Sequence, residues 1–191
     1  MPQPLTAVYL DFQSAACHRV WCWLSATSAC ERVEVRPFWS ESPVAAGGRG
    51  PWERAAPTSG LELLAMGEFA RELGRRAHHR FVEAAFAVLH EDAAESSGLE
   101  LWLSLGARAG LDMEAFTADA ERWRAEVGLW HEEARDELGV DGVPVLVFGD
   151  RLAVRVDLER AVREPEEADD LLERLAALAA GPLSEWRRTS G

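Results

Sequence analysis

The 191-residue chain is 48% hydrophobic and carries a formal net charge of −13, enough length for one domain with a sizeable core and a subdomain upon it. That charge argues against nucleic acid and anionic membrane surfaces as partners, because both need clustered lysine or arginine. No run approaches the roughly 18 consecutive apolar residues of a membrane span. Lysine, asparagine and isoleucine are absent, the usage of a GC-rich coding sequence, which points to a high-GC bacterium. No basic residue precedes the first strand-like run, so no secretory leader is expected and the expected location is cytoplasmic.

Thr6 to Phe12 reads as a buried strand around the apolar run Ala7-Val8-Tyr9-Leu10. Ser14 follows as an N-cap whose hydroxyl accepts a spare backbone N–H. Cys17, Val20, Trp21 and Leu24 then fall at the i, i+3, i+4, i+7 spacing of a buried helix face, with Cys22 on another face. Arg32 to Phe38 alternates as a second strand, and Trp39 to Ser59, rich in Ser, Gly and Pro, reads as a loop. The Gly-rich part of that loop lacks the Gly-Lys-Ser/Thr ending of a phosphate cradle.

Gly60 to Leu138 carries helical stripes broken at Ser96-Ser97-Gly98 and Gly110-Leu111-Asp112, with Asp112 set to cap the next helix. Trp123, Val127 and Trp130 form a stripe expected to face the core. Val143 to Phe148 and Leu152 to Val156, joined by Gly149-Asp150, read as a hairpin. Asp157 is expected to cap a short helix, Pro165 to open the last one, and Gly181-Pro182 to stop it. The implied organisation is α/β, with residues 1–59 and 139–191 in one unit and 60–138 as an all-helical insertion.

Three cysteines make no disulfide framework. Cys17 and Cys22, five apart on a helix, have Cα atoms roughly 8.6 Å apart, beyond the roughly 7 Å reach of a disulfide. Cys22 and Cys30 read as packing residues. His18 and Cys22 are i, i+4 with Cys17 nearby, but no second cluster supplies further ligands in a recognisable spacing, so no metal is expected. His78 and His79 are expected at the surface or rim of the insertion, and His90 and His131 read as ordinary helix residues. A histidine facing the Ser14 cleft would be a candidate proton shuttle.

The order strand, helix, strand, helical block, hairpin, helix resembles the DsbA-like branch of the thioredoxin superfamily. The match runs over nearly the whole chain, including Val35-Arg36-Pro37-Phe38, Phe81 to Phe86 and Leu101 to Asp112. Its sharpest part is Gly139-Val140-Asp141-Gly142-Val143-Pro144, similar to the family's Gly-Val-x-Gly-Val-Pro segment. The resemblance implies a thioredoxin-like fold with an all-helical insertion and a cis Pro144. It also implies that the backbone of Val143 is exposed for pairing with a bound thiol or peptide. Ser14-Ala15-Ala16-Cys17 stands where the family has Cys-x-x-Cys, and a hydroxyl cannot supply the thiolate of disulfide exchange. Asp11-Phe12-Gln13-Ser14 is similar to the opening of kappa-class glutathione transferases and hydroxychromene-carboxylate isomerases, in which the serine donates a hydrogen bond to the thiolate of bound glutathione.

These likenesses imply a site of Ser14, Cys17, Val143 and Pro144 and a thiol-dependent transferase or isomerase with Ser14 as thiolate stabiliser. They imply no tightly bound cofactor, and glutathione or another low-molecular-weight thiol as cosubstrate. The partners would be a small-molecule thiol and an electrophile, or a protein thiol, and the tryptophan-bearing insertion leaves a homodimer open. Cys17 itself is either a small buried packing residue or a lone redox thiol. Two other readings stand beside the transferase: a non-catalytic module binding a peptide or protein along the Val143-Pro144 edge, and an oxidoreductase working through Cys17 alone.

Overall fold

The computed structural model describes residues 3–40, 50–53, 58–92 and 98–181. β1 (Leu5–Leu10) is buried at every position except Thr6 and lies inside a four-stranded sheet of order β2-β1-β3-β4. Its neighbours are β2 (Glu34–Pro37), which runs parallel, and β3 (Val145–Phe148), which runs antiparallel. β4 (Leu152–Arg155) closes the other edge as the second arm of the hairpin. A parallel neighbour demands a crossover, and α1 (Ala15–Ala26) provides it, burying Cys17, Val20, Trp21, Cys22, Trp23 and Leu24. Trp23, fully buried, donates its indole N–H to the Ala168 carbonyl at 2.9 Å and so fastens α7 (Pro165–Ala179) to α1.

The helical block comprises α2 (Ser59–Glu72), α3 (Arg75–Phe86), α4 (Leu99–Ala109), α5 (Met113–Ala118) and α6 (Ala120–Leu138). α3 passes directly into a π-helical turn, Ala87–Glu91. Asp112 caps α5 as its position predicts, accepting from the N–H groups of Glu114 and Ala115. Two breaks escape the periodicity: Gly74, at φ 106°, separates α2 from α3, and Asp119 separates α5 from α6. Gly50 and Gly128 both abut the indole of Trp52; a Cβ on either would come within 2.1 to 2.5 Å of that ring. Trp52 thus seats in a notch on α6 that only a residue without a side chain leaves open.

Several sequence expectations need correction. β1 stops at Leu10, because Asp11 and Phe12 already turn toward the cap of α1. Arg32 belongs to a 3₁₀ turn, Cys30–Arg32, that precedes β2. No helix follows Asp157, whose carboxylate instead meets Arg19 at 3.2 Å. His78 is buried rather than at the rim, and burial lowers its pKa to about 3. Trp130 is half-buried; the guanidiniums of Arg36 and Arg71 cover its two-ring system at 4.5 and 4.8 Å, and its N–H donates to Glu68 at 3.0 Å. The expected breaks at Ser96-Ser97 and Pro182, and most of the Gly-rich loop, lie outside the described residues.

Candidate functional site

Ser14 sits between β1 and α1 in extended backbone, φ −85° and ψ 118°. Its hydroxyl accepts the Cys17 N–H at 3.3 Å, the N-cap that its position predicts. The side chain remains partly exposed at the positive end of the α1 dipole, where an anion is favoured.

β3 brings Val143 and Pro144 to the same end of the sheet. Tyr9 pairs with Val145 across the antiparallel ladder; continuing that register by one and two residues sets Pro144 beside Leu10 and Val143 beside Asp11, three residues before Ser14. The Val143–Pro144 bond is cis, but both residues are buried, so the backbone of Val143 is not exposed in the way the resemblance implies. Arg155, the partner of Val145 on β4, lies over Gly142, where an added Cβ would come 3.2 Å from its Nη1. This exposed guanidinium also stands 3.5 Å from Asp141. Of the sequence-derived site, Ser14, Cys17, Val143 and Pro144 therefore gather at one sheet end.

Cys17 is in that place but sealed. Its exposure is 0%, and its Sγ accepts the Asp11 N–H at 3.4 Å. Burial drives the thiol's pKa up to about 12, outweighing the opposing help of the Asp11 N–H, the Ser14 hydroxyl and the positive charge of Arg155. At neutral pH the group is a thiol, not a nucleophile. Its Sγ is engaged by the Asp11 N–H and is not among the donor atoms that converge with those of His18 and Cys22.

Asp11 is 2% exposed. Its carboxylate accepts from the Gln13 N–H at 3.0 Å, the Ser40 N–H at 3.2 Å and the Ser40 hydroxyl. Burial raises its pKa, with those hydrogen bonds opposing the rise. In the sequence Asp11 stands out only as the first residue of Asp11-Phe12-Gln13-Ser14. That an acid followed a buried strand run directly was the available signal, since such a residue is rarely buried without donors aimed at it.

The far side of α1 holds side chains that sequence spacing brought only half together. His18 Nε2 lies 3.3 Å from Cys22 Sγ and 3.2 Å from Glu91 Oε1. The His18 ring stacks on His90 at 4.9 Å between centroids, and His90 Nε2 donates to the Phe12 carbonyl at 2.8 Å. Glu91 was not foreseen there, because its approach depends on the π-helical turn. All three cysteines are free. His131 is buried against Phe38 and Trp52, not at Ser14.

With this geometry in view, the comparisons with known proteins are informative at the level of fold. No family model matches the chain, and no curated protein matches it. A probable DsbA oxidoreductase from Streptomyces coelicolor superposes with a TM-score of 0.60 at 20% identity, covering 96% of this chain and 92% of that one. The cytosolic disulfide reductase DsbM from Pseudomonas aeruginosa also gives 0.60 at 20% identity, over 90% of this chain and 98% of that one. The thiol-disulfide exchange protein alpha-DsbA2 from Wolbachia pipientis gives 0.56 at 16%, over 93% and 87%. The chain has the DsbA-like thioredoxin fold with its helical insertion. Among the described residues, no helix is long and apolar enough to cross a membrane.

Proposed function

We propose that the protein is a thiol-dependent transferase or isomerase in which Ser14 stabilises the thiolate of a bound low-molecular-weight thiol. The observation that carries this reading is the contrast within Ser14-x-x-Cys17: the hydroxyl is partly exposed at the helix N-terminus, while the thiol is fully buried with its pKa pushed to about 12. A visiting thiolate meets the serine and not the cysteine. A charge-assisted O–H···S⁻ bond added to the α1 dipole favours the ionised thiol and so makes it a nucleophile toward an electrophilic second substrate. Ser14 already accepts the Cys17 N–H, which directs its own proton away from that donor.

Of the cis Val143–Pro144 pair only the Val143 N–H can serve that thiolate as a donor, because Pro144 has no N–H and its carbonyl accepts from the Val156 N–H at 3.2 Å, and Arg155 offers a cation for a carboxylate of the thiol, as glutathione carries. A reducing cytoplasm suits such a cosubstrate. An oxidoreductase reading through Cys17, consistent with the activities named for the structural relatives, requires the buried thiol to open first.

The test is the ionisation of bound glutathione, read by thiolate absorbance across a pH titration, in the wild type and in Ser14→Ala. The hydroxyl's loss should raise the pKa of the bound thiol by about one unit or more. An unchanged pKa with binding retained would sink the role given to Ser14. Absence of binding by glutathione and by other small thiols would sink the transferase reading itself and leave the peptide-binding module.

A further inference from the structure

We propose that His18 Nε2, Cys22 Sγ and Glu91 Oε1 form a binding site for one zinc-class divalent ion, on the side of α1 away from Cys17. Among the described residues this is the one group of three histidine, cysteine or acidic donors whose ligand atoms converge, all lying within 4.8 Å of one another.

The two closest separations, 3.2 Å from Nε2 to Oε1 and 3.3 Å from Nε2 to Sγ, lie near those of ligands on a tetrahedral zinc. Bonds of roughly 2.0 to 2.3 Å imply ligand-to-ligand spacings of about 3.3 to 3.6 Å. The chemistry of the set points the same way, since one thiolate, one imidazole and one carboxylate suit a borderline ion and not magnesium or calcium.

Without a cation the single Nε2 position can serve only one of its two neighbours as a donor. If Nε2 carries its proton, it donates to Glu91 and leaves the Cys22 S–H no acceptor on that nitrogen. If it does not, its lone pair faces a carboxylate. A central cation turns all three atoms into acceptors at once. Binding releases the Cys22 thiol proton to solvent.

The surroundings hold the set in place. His18 and Cys22 are one turn apart on α1, and Glu91 ends the π-helical turn, whose Asp92 N–H reaches back to the Ala87 carbonyl at 2.8 Å. Such turns recur at functional sites because the added residue redirects side chains. The stacked His90 ring, tied to the Phe12 carbonyl, backs the His18 imidazole. Arg163 contacts Glu91 at 2.6 Å and is the cation that a divalent ion must outcompete. The Glu91 side chain is 42% exposed, so solvent reaches the fourth ligand position.

The experiment uses the full chain, stripped with chelator and titrated with cobalt(II) alone, then with zinc(II) in competition. One equivalent of cobalt should bind with a near-ultraviolet thiolate-to-cobalt charge-transfer band, and zinc should abolish that band. Cys22→Ser should lose it, Cys30→Ser should keep it, and Glu91→Gln, an exposed change that leaves the fold intact, should weaken binding roughly tenfold or more. A wild type that binds no cobalt, or a band that survives in Cys22→Ser, overturns the proposal. None of these readouts depends on a thiol substrate, so they stand or fall separately from the role of Ser14.

Discussion

In the helical block, Glu62 sits 3.0 Å from Arg124, and Glu68 lies 3.0 Å from Arg71 and 3.0 Å from the Trp130 N–H. At the β1–α1 junction Asp11 is as deeply buried, yet the donors it is given are two backbone N–H groups and a hydroxyl. The insertion neutralises its interior charges with opposite ones, as a scaffold does. The junction holds a carboxylate by neutral dipoles beside a buried thiol, a half-open serine and a helix N-terminus. Under the role proposed for Ser14, an incoming thiolate would meet no internal ion pair at that junction among the described residues. The difference between the two regions is in keeping with the role proposed for Ser14.

The largest effect that tests this contrast is chemical. Cys17, whose pKa burial pushes up to about 12, should alkylate roughly a thousandfold more slowly than a free thiol at neutral pH. Peptide mapping after brief iodoacetamide treatment, with and without denaturant, measures this, and rapid native labelling of Cys17 would show that the junction opens. Next comes Arg124→Ala, which strands Glu62 in the interior and should cost about 3 kcal/mol in urea unfolding. A loss near zero would mean that the pair is not what holds α2 to α6.

Asp11→Ala should cost about 2 kcal/mol, since the Gln13 and Ser40 N–H groups lose their acceptor. Asp11→Asn adds a pH signature. The folded protein holds the Asp11 proton to higher pH than the unfolded chain, whose value is near 3.8. The stability this confers is present below that value and is lost as pH rises through the raised folded one. The stability gap between wild type and Asp11→Asn should accordingly move in the variant's favour as pH climbs out of the acid range; a gap independent of pH would remove the raised pKa. The smallest effect is Ser14→Ala on stability, about 1 kcal/mol for a lost cap, read by thermal unfolding. That modest cost makes the variant fit for the thiol titration above.

Much of this architecture was written in local pattern. The apolar run of β1, the i, i+4 face of α1, the Asp112 cap and the Gly149 turn all declared themselves, because each is set by neighbours in the chain. Ser14 and Pro144 could be paired only through resemblance, since 130 positions separate them and no periodicity spans that gap. What stayed hidden depended on tertiary fit. Trp130 looked like core, but its indole was claimed by two guanidiniums from other elements. No spacing in the sequence ties Glu91 to His18, because their approach depends on the π-helical turn. His78 looked exposed because a polar pair at a helix start usually is, and packing of the helical block overrode that.

The seat of Trp52 has a consequence for how this chain can change over time. Gly50 and Gly128 both give way to one indole, so the three positions behave as a single heritable character. A methyl group at either glycine collides with the ring, and a smaller residue at 52 leaves an unfilled notch on α6. Drift at one of these positions is tolerated only with a compensating change at another. In any set of descendants of this sequence, positions 50, 52 and 128 should therefore covary, although 76 residues separate the last two.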